Sequence, residues 1–310
     1  MTTVPEQNVD SPRGLVYAIS AYVLWGFLPL YMKALSHVPP AEIIAHRILW
    51  SLPIAGAVLL WQGRAGDVIA AFKTPRLLAM AALTAVLISI NWLTYVWAIA
   101  NDHALDAALG YYINPLFSVF LGATLLGERL TKLQLVAIAL AAAAVILLTI
   151  QAGSLPLVAI TLTLSWGFYA YCKKKLPLGP NQGFTLEVLI LAPLAIGWLI
   201  WQAATGTTHF GENWTDTLLL IGCGPVTAIP LLFYANGAKQ LRLSTIGILQ
   251  YIAPTMIFLT AVFVFGEPFG TARMIAFPMI WASLVIYSIS LIQQSGARRF
   301  GAADRTRRMQ

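Results

Sequence analysis

Ten stretches of about 20 residues, nearly free of charge, follow one another along this chain. They lie at roughly 14–35, 42–61, 76–100, 104–126, 132–150, 155–172, 183–203, 215–238, 243–265 and 271–293. A helix rises about 1.5 Å per residue, so about 20 apolar residues cross the hydrocarbon core of a bilayer. Of the 310 residues, 59% are hydrophobic and 10% are charged, against about a quarter charged in a soluble domain. Too little polar surface remains to keep such a chain dissolved. The pattern predicts an all-α integral membrane protein of ten transmembrane helices. The longest linkers, 62–75 and 204–214, are too short for a soluble domain. Residues 1–13 are polar, and the run that follows is too long for a signal-peptide core and lacks a clear cleavage site, so it reads as a retained first helix. Residues 294–310 read as a short, basic, disordered tail.

The basic residues test this map independently. With the N-terminus in the cytoplasm, sixteen of the 19 lysines and arginines fall on the cytoplasmic side, in the linkers and the tail. Lys33 and Arg273 fall outside, and Arg47 lies within the second helix. Such a bias orients a membrane protein, and miscounting one helix would scramble it, so both termini are expected in the cytoplasm. The net charge of +7 is therefore a topology signal; the charges form no single patch suited to nucleic acid. Cys172 and Cys223 lie in apolar context and suggest neither a disulfide framework nor a metal site.

The chain also repeats itself. Residues 112–128 read YINPLFSVFLGATLLGE and residues 251–267 read YIAPTMIFLTAVFVFGE, an offset of 139. Leu93 and Tyr95 match Leu232 and Tyr234 at the same offset, and WGF at 25–27 matches WGF at 166–168. Each half thus holds five helices. Five is odd, so the second half enters the membrane with opposite polarity, which puts Lys33 outside and its counterpart Lys174 inside. Inverted repeats are a recurring plan of secondary transporters, with the solute site near the midplane between the halves.

Several segments carry a specific resemblance: AYVLWGFLPLYMKAL at 21–35, EIIAHRILWS at 42–51, NWLTYVWAIANDHALDAALGYYINPL at 91–116, LGERLTKLQ at 126–134, YCKKKL at 171–176 and RLSTIGILQYIAPTMIFLTAVFVFGE at 242–267. Together they resemble the EamA-domain branch of the drug/metabolite transporter superfamily, and within it the RarD group. The resemblance spans about 14–293. It implies two EamA repeats, 14–150 and 155–293, a central cavity open to one side at a time, and an inner-membrane permease. RarD-like proteins are commonly described as permeases linked to chloramphenicol.

Polar groups within membrane helices need a reason, because a charge at a helix centre costs about 2.5–3.5 kcal/mol on insertion scales. Arg47 reads either as a snorkelling or locally paired arginine or as a contact for an anion. Asp106, Gly110, Asn114, Ser118 and Gly122 form a stripe at i+4 spacing, suited to close packing or, at Asp106 and Asn114, to lining a cavity. Pro115 and Pro254 match in the repeat and each removes a helix hydrogen bond, so each is a candidate hinge or a tolerated kink. Asn91 and Tyr95 share a helix face. Trp25 and Trp166 are repeat-matched and mid-helix, and Tyr234, Tyr112, Tyr251 and Gln250 complete a polar and aromatic lining suited to amphipathic solutes. Glu128 and Glu267 read as helix ends at the water boundary. Glu187 reads as an acid favoured at a helix N-terminus.

The leading expectation is a secondary transporter moving small organic metabolites or drugs by alternating access. The alternatives are a membrane-embedded enzyme acting on a lipid-like substrate, or a passive channel. The four histidines lie apart, and G-x-S-x-G, P-loop and paired metal ligands are missing from the sequence, so no catalytic residue, metal or cofactor is expected. Filter-like loops are missing as well. Expected partners are the solute and the lipid bilayer, with protons or a counter-substrate left open.

Overall fold

A computed structural model of the chain describes residues 11–126, 130–238, 240–241 and 243–308. The described residues are helical throughout, joined by short turns. Eight of the helices are long and apolar enough to cross a membrane: α1 Pro12–Ala34, α2 Pro40–Trp61, α4 Pro75–Ala100, α5 Ala104–Leu126, α6 Lys132–Ala152, α8 Pro180–Thr205, α9 Trp214–Ala238 and the first part of α12 Thr271–Arg308. Two elements fall short of that measure. One is α7, Leu157–Lys175, which ends in three lysines. The other is broken into α10 Leu243–Leu249, α11 Ile252–Leu259 and a π-helical turn at Thr260–Val264. The short helix α3, Ala65–Phe72, occupies the linker 62–75.

Local chemistry sets the boundaries. Proline opens α1, α2, α4 and α8, where its missing N–H costs nothing and its fixed φ suits the first turn. Thr131 and Gln134 form a reciprocal capping box at the start of α6, satisfying two orphan donors. Gly153 and Gly206 end α6 and α8 in the left-handed conformation, with φ of 65° and 66°, where a side chain would strain the backbone. The helix α12 continues through the stretch expected as a disordered tail, reaching Arg308. Of the two candidate hinges, Pro115 lies inside an unbroken α5, whereas Pro254 follows the break at Gln250–Tyr251.

Small residues set the helix spacing. A Cβ on Gly224 of α9 would meet the Trp50 carbonyl of α2 at 2.2 Å, and one on Gly110 of α5 would meet the Ala159 carbonyl of α7 at 2.9 Å. Close backbone approach of this kind is how membrane helices gain packing energy in lipid. The pairings between the first six helices and the rest follow an exchange rule: α1 packs on α9 and α11 while α7 packs on α4 and α5, and α2 packs on α8 while α6 packs on α12. The buried core runs between these pairs.

Candidate binding cavity

A cavity of about 130 Å³ lies among α1, α2, α4, α5, α7, α8, α9 and α11. Its wall is mostly apolar and aromatic, and Arg47 is the only charged side chain on it. Many of its residues stand in pairs at the spacing of the repeat: 141 residues for Trp25 with Trp166 and Leu28 with Tyr169, as for the matched WGF segments, and 139 for Ile88 with Thr227, Trp92 with Leu231, Tyr111 with Gln250, and Asn114 with Ala253.

Arg47 is 3% exposed. Its Nε donates to Thr227 Oγ1 at 3.0 Å, and that hydroxyl in turn donates to the Cys223 carbonyl at 2.7 Å. Its guanidinium carbon stacks 4.7 Å from the Trp92 ring centroid, a contact that stabilises a cation. Nη1 has no hydrogen-bond partner among the described residues. Glu42, one turn and more earlier on α2, is not available to it. That carboxylate is fully buried and accepts from Gln202 Nε2, Thr208 Oγ1, and both the backbone N–H and Nδ1 of His209, at 2.8–3.1 Å. It pins the α8–α9 connection onto the start of α2.

Asn91 ties three helices together. Its Nδ2 donates to the Leu162 carbonyl at 3.2 Å and to Ser165 Oγ at 3.1 Å on α7, and its Oδ1 accepts from Tyr111 OH at 3.1 Å on α5. Tyr95 OH and Asn114 Oδ1, both on buried residues of the wall, have no partner. Behind the wall, Tyr169 OH donates to Glu187 Oε2 at 3.1 Å, and Lys173 Nζ pairs with Glu187 Oε1 at 2.9 Å. Glu187 is 1% exposed, so it is a buried ion-pair partner and not simply an acid at a helix start.

The structure brings Trp25, Arg47, Asn91, Tyr95, Asn114, Trp166 and Gln250 together on one wall, with Pro254 beside them. It places four other expected residues elsewhere. Asp106 sits in the first turn of α5, where it accepts from Arg273 Nη2 at 3.1 Å and pairs with His103 at 2.9 Å. Tyr112 turns toward α11 and α12, with its hydroxyl on Thr255 Oγ1 at 2.9 Å and its ring on Phe277. Tyr234 packs behind Tyr22 and Trp25, and Tyr251 is not part of the wall. On the i+4 stripe, only Asn114 reaches the cavity; Gly110 serves packing and Ser118 lies on the outside of the bundle. Glu267 is buried, not at a water boundary, and its carboxylate accepts from the N–H groups of Ala104 and Leu105 at 2.6 and 2.9 Å. Its counterpart Glu128, with Arg129, Lys239 and Arg242, lies outside the described residues. Tyr22, Trp92, Tyr111, Tyr169, Phe184 and Thr227 complete the wall without having been expected there. The offset that matched Trp25 to Trp166 would have found Tyr169 from Leu28 only if Leu28 had been suspected. Among the described residues no three His, Cys, Asp or Glu side chains group to hold a metal ion.

The sequence model of the EamA-like transporter family matches residues 12–150. An uncharacterized transporter of Vibrio cholerae is 44% identical over 301 residues, covering 96% of this chain and 99% of its own. The protein RarD of Salmonella typhi is 41% identical over 281 residues, covering 90% of this chain and 96% of its own. A crystal structure of a protein 21% identical superposes with a TM-score of 0.60, covering 91% of this chain and 98% of that one; at that identity it speaks for the fold alone.

Proposed function

The chain belongs to the EamA-like transporter family, among its RarD-like permeases, and on that premise we propose that it is a secondary transporter carrying small organic molecules by alternating access around the cavity at Arg47. It is a multi-pass membrane protein. In this reading α7 and the broken segment α10–α11 are crossings as well, making ten, with residues 14–150 and 155–293 as two inverted five-helix repeats and both termini in the cytoplasm. The observation that carries it is the wall itself: the residues around the cavity come from both halves in offset-matched pairs. Two similar halves of opposite orientation can exchange conformations, which turns an outward-open cavity inward-open. The exchange rule in the helix pairings supports the same plan.

Two polar clusters then close the ends. Glu42 with Thr208 and His209 holds the outer end, and Lys173 with Glu187 holds the cytoplasmic end. The break at Gln250–Tyr251 and the π-helical turn that follows α11 leave that segment without a regular ladder, which suits a moving element.

The test is uptake into proteoliposomes. Vesicles containing the protein, loaded with a bacterial metabolite extract and diluted, are expected to exchange at least one organic solute saturably and faster than empty vesicles, as read by mass spectrometry. If no solute moves faster, the permease reading fails.

A further inference from the structure

The wall of the cavity carries a charge imbalance that points to its occupant. Arg47 is the wall's only ionisable cation, it is 3% exposed, and among the described residues no carboxylate lies within ion-pair distance of it. The nearby acids are committed: Glu42 to His209 and its neighbours, Glu187 to Lys173 and Tyr169. A guanidinium stays charged at any accessible pH. Uncompensated charge is costly to bury. Thr227 and Trp92 ease that cost by one hydrogen bond and one ring face, but Nη1 is left without a partner. Two further buried polar atoms without a partner among the described residues, the Tyr95 hydroxyl and Asn114 Oδ1, belong to residues of the wall that are 3% and 5% exposed.

We propose that the solute is a monoanionic organic carboxylate with an apolar or aromatic body, its carboxylate held by Arg47 Nη1 and the Tyr95 hydroxyl. The inference rests on the permease reading and names the chemistry its cavity accepts. Each part of the wall has a matching part in such a molecule. The guanidinium fork fits a planar carboxylate. One unpaired cation balances one negative charge, which disfavours a phosphate dianion. Trp25, Trp92 and Trp166 line the cavity, and aromatic linings of this kind suit such a body. Asn114 Oδ1 accepts from an N–H or O–H elsewhere on the solute.

The experiment compares probes of one phenylpropyl skeleton on the intact protein in nanodiscs at about pH 8.5, where the carboxylate is a monoanion, the phosphonate mostly a dianion and the amine a cation. Thermal shift and tryptophan fluorescence are titrated with 3-phenylpropanoate, 3-phenylpropanamide, 3-phenylpropylamine and the corresponding phosphonate. A charge-assisted hydrogen bond contributes about 1.5–3 kcal/mol, or roughly ten- to a hundred-fold in affinity. The carboxylate is therefore expected to bind at least about ten-fold tighter than the amide, and the amine and phosphonate more weakly still. Arg47→Gln is expected to erase the preference, and Arg47→Lys, which keeps the charge and loses the fork, to retain part of it. Equal binding of carboxylate and amide, preference for the amine or the phosphonate, a carboxylate preference that survives R47Q, or no binding of any probe each overturns the proposal. None of these outcomes bears on whether the metabolite extract exchanges across the vesicle membrane, so the two readings fail separately.

Discussion

Arg47 and Glu187 hold the same place in two helices that pack against each other. Each lies seven residues after the proline that opens its helix, Pro40 in α2 and Pro180 in α8, and each is buried, at 3% and 1% exposure. Their fates differ. Glu187 is paired by Lys173 and bonded by Tyr169, while Arg47 keeps an unpartnered nitrogen on the cavity wall. At matched positions, the pair in α8 is satisfied within the protein and the cation in α2 is not.

Removing Lys173 should cost more than removing both partners. Lys173→Met leaves the Glu187 carboxylate buried without its cation, and breaking a buried pair in this way typically costs about 3–5 kcal/mol. The double variant Lys173→Met with Glu187→Leu should recover most of that loss. Thermal unfolding of the purified variants in one detergent checks the order: single variant well below wild type, double variant near it.

Asn91→Leu should destabilise more than Tyr111→Phe. The first leaves the Leu162 carbonyl, Ser165 Oγ and Tyr111 OH without their partner, and each unsatisfied buried group costs about 1–3 kcal/mol. Ser165 keeps its own bonds to the Thr161 and Leu162 carbonyls, which also leaves the Leu162 carbonyl with a donor, so the penalty falls mainly on the Tyr111 hydroxyl and on the apolar branch forced among these polar atoms. The second removes one hydroxyl and leaves one acceptor. The difference in unfolding temperature measures it.

Gly224→Ala should loosen the α2–α9 contact. The added Cβ meets the Trp50 carbonyl at 2.2 Å and its carbon at 2.4 Å, backbone atoms that cannot rotate away. Overpacking of this kind costs about 1–3 kcal/mol or more. Gly197→Ala, with nothing within 4 Å of its Cβ, is the control and should leave thermal stability unchanged or slightly higher, since alanine is the better helix former.

Glu267→Ala should weaken the start of α5. Its carboxylate accepts from two N–H groups of the first turn at once, and loss of such a cap costs about 0.5–2 kcal/mol. Amide hydrogen exchange at Ala104 and Leu105 should quicken in the variant while exchange in α2 stays as before.

Accessibility labelling checks the inverted arrangement. Cysteines placed at Lys33 and Lys174, in a background without Cys172 and Cys223, should react with an impermeant thiol reagent from opposite sides of sealed vesicles. Reaction from the same side would contradict the two-repeat plan.

Membrane helices were legible in the sequence because the requirement is local: a bilayer demands some 20 apolar residues in a row, and no distant contact alters that. The prolines that open α1, α2, α4 and α8 and the box of Thr131 and Gln134 are local devices too, although the spans read from the sequence did not use them. The offset match of Trp25 with Trp166 carried both to the wall, since like halves place like residues alike.

Which face of each helix turns inward is another matter, because adjacent residues on a helix point about 100° apart and apolar residues cover every side. Tyr111 and Tyr112 are neighbours in sequence, yet Tyr111 reaches the cavity and Tyr112 faces Thr255. Tyr95 lines the wall and its counterpart Tyr234 stands behind it. Partner choice is equally non-local: His209, 167 residues away, takes Glu42, and Arg273, also 167 residues away, takes Asp106. Composition and period determined that this chain crosses the membrane many times. Only the packed helices decided that Arg47 lies on a cavity wall with no carboxylate beside it among the described residues, because burial and pairing depend on distances across the bundle that no local window of sequence contains.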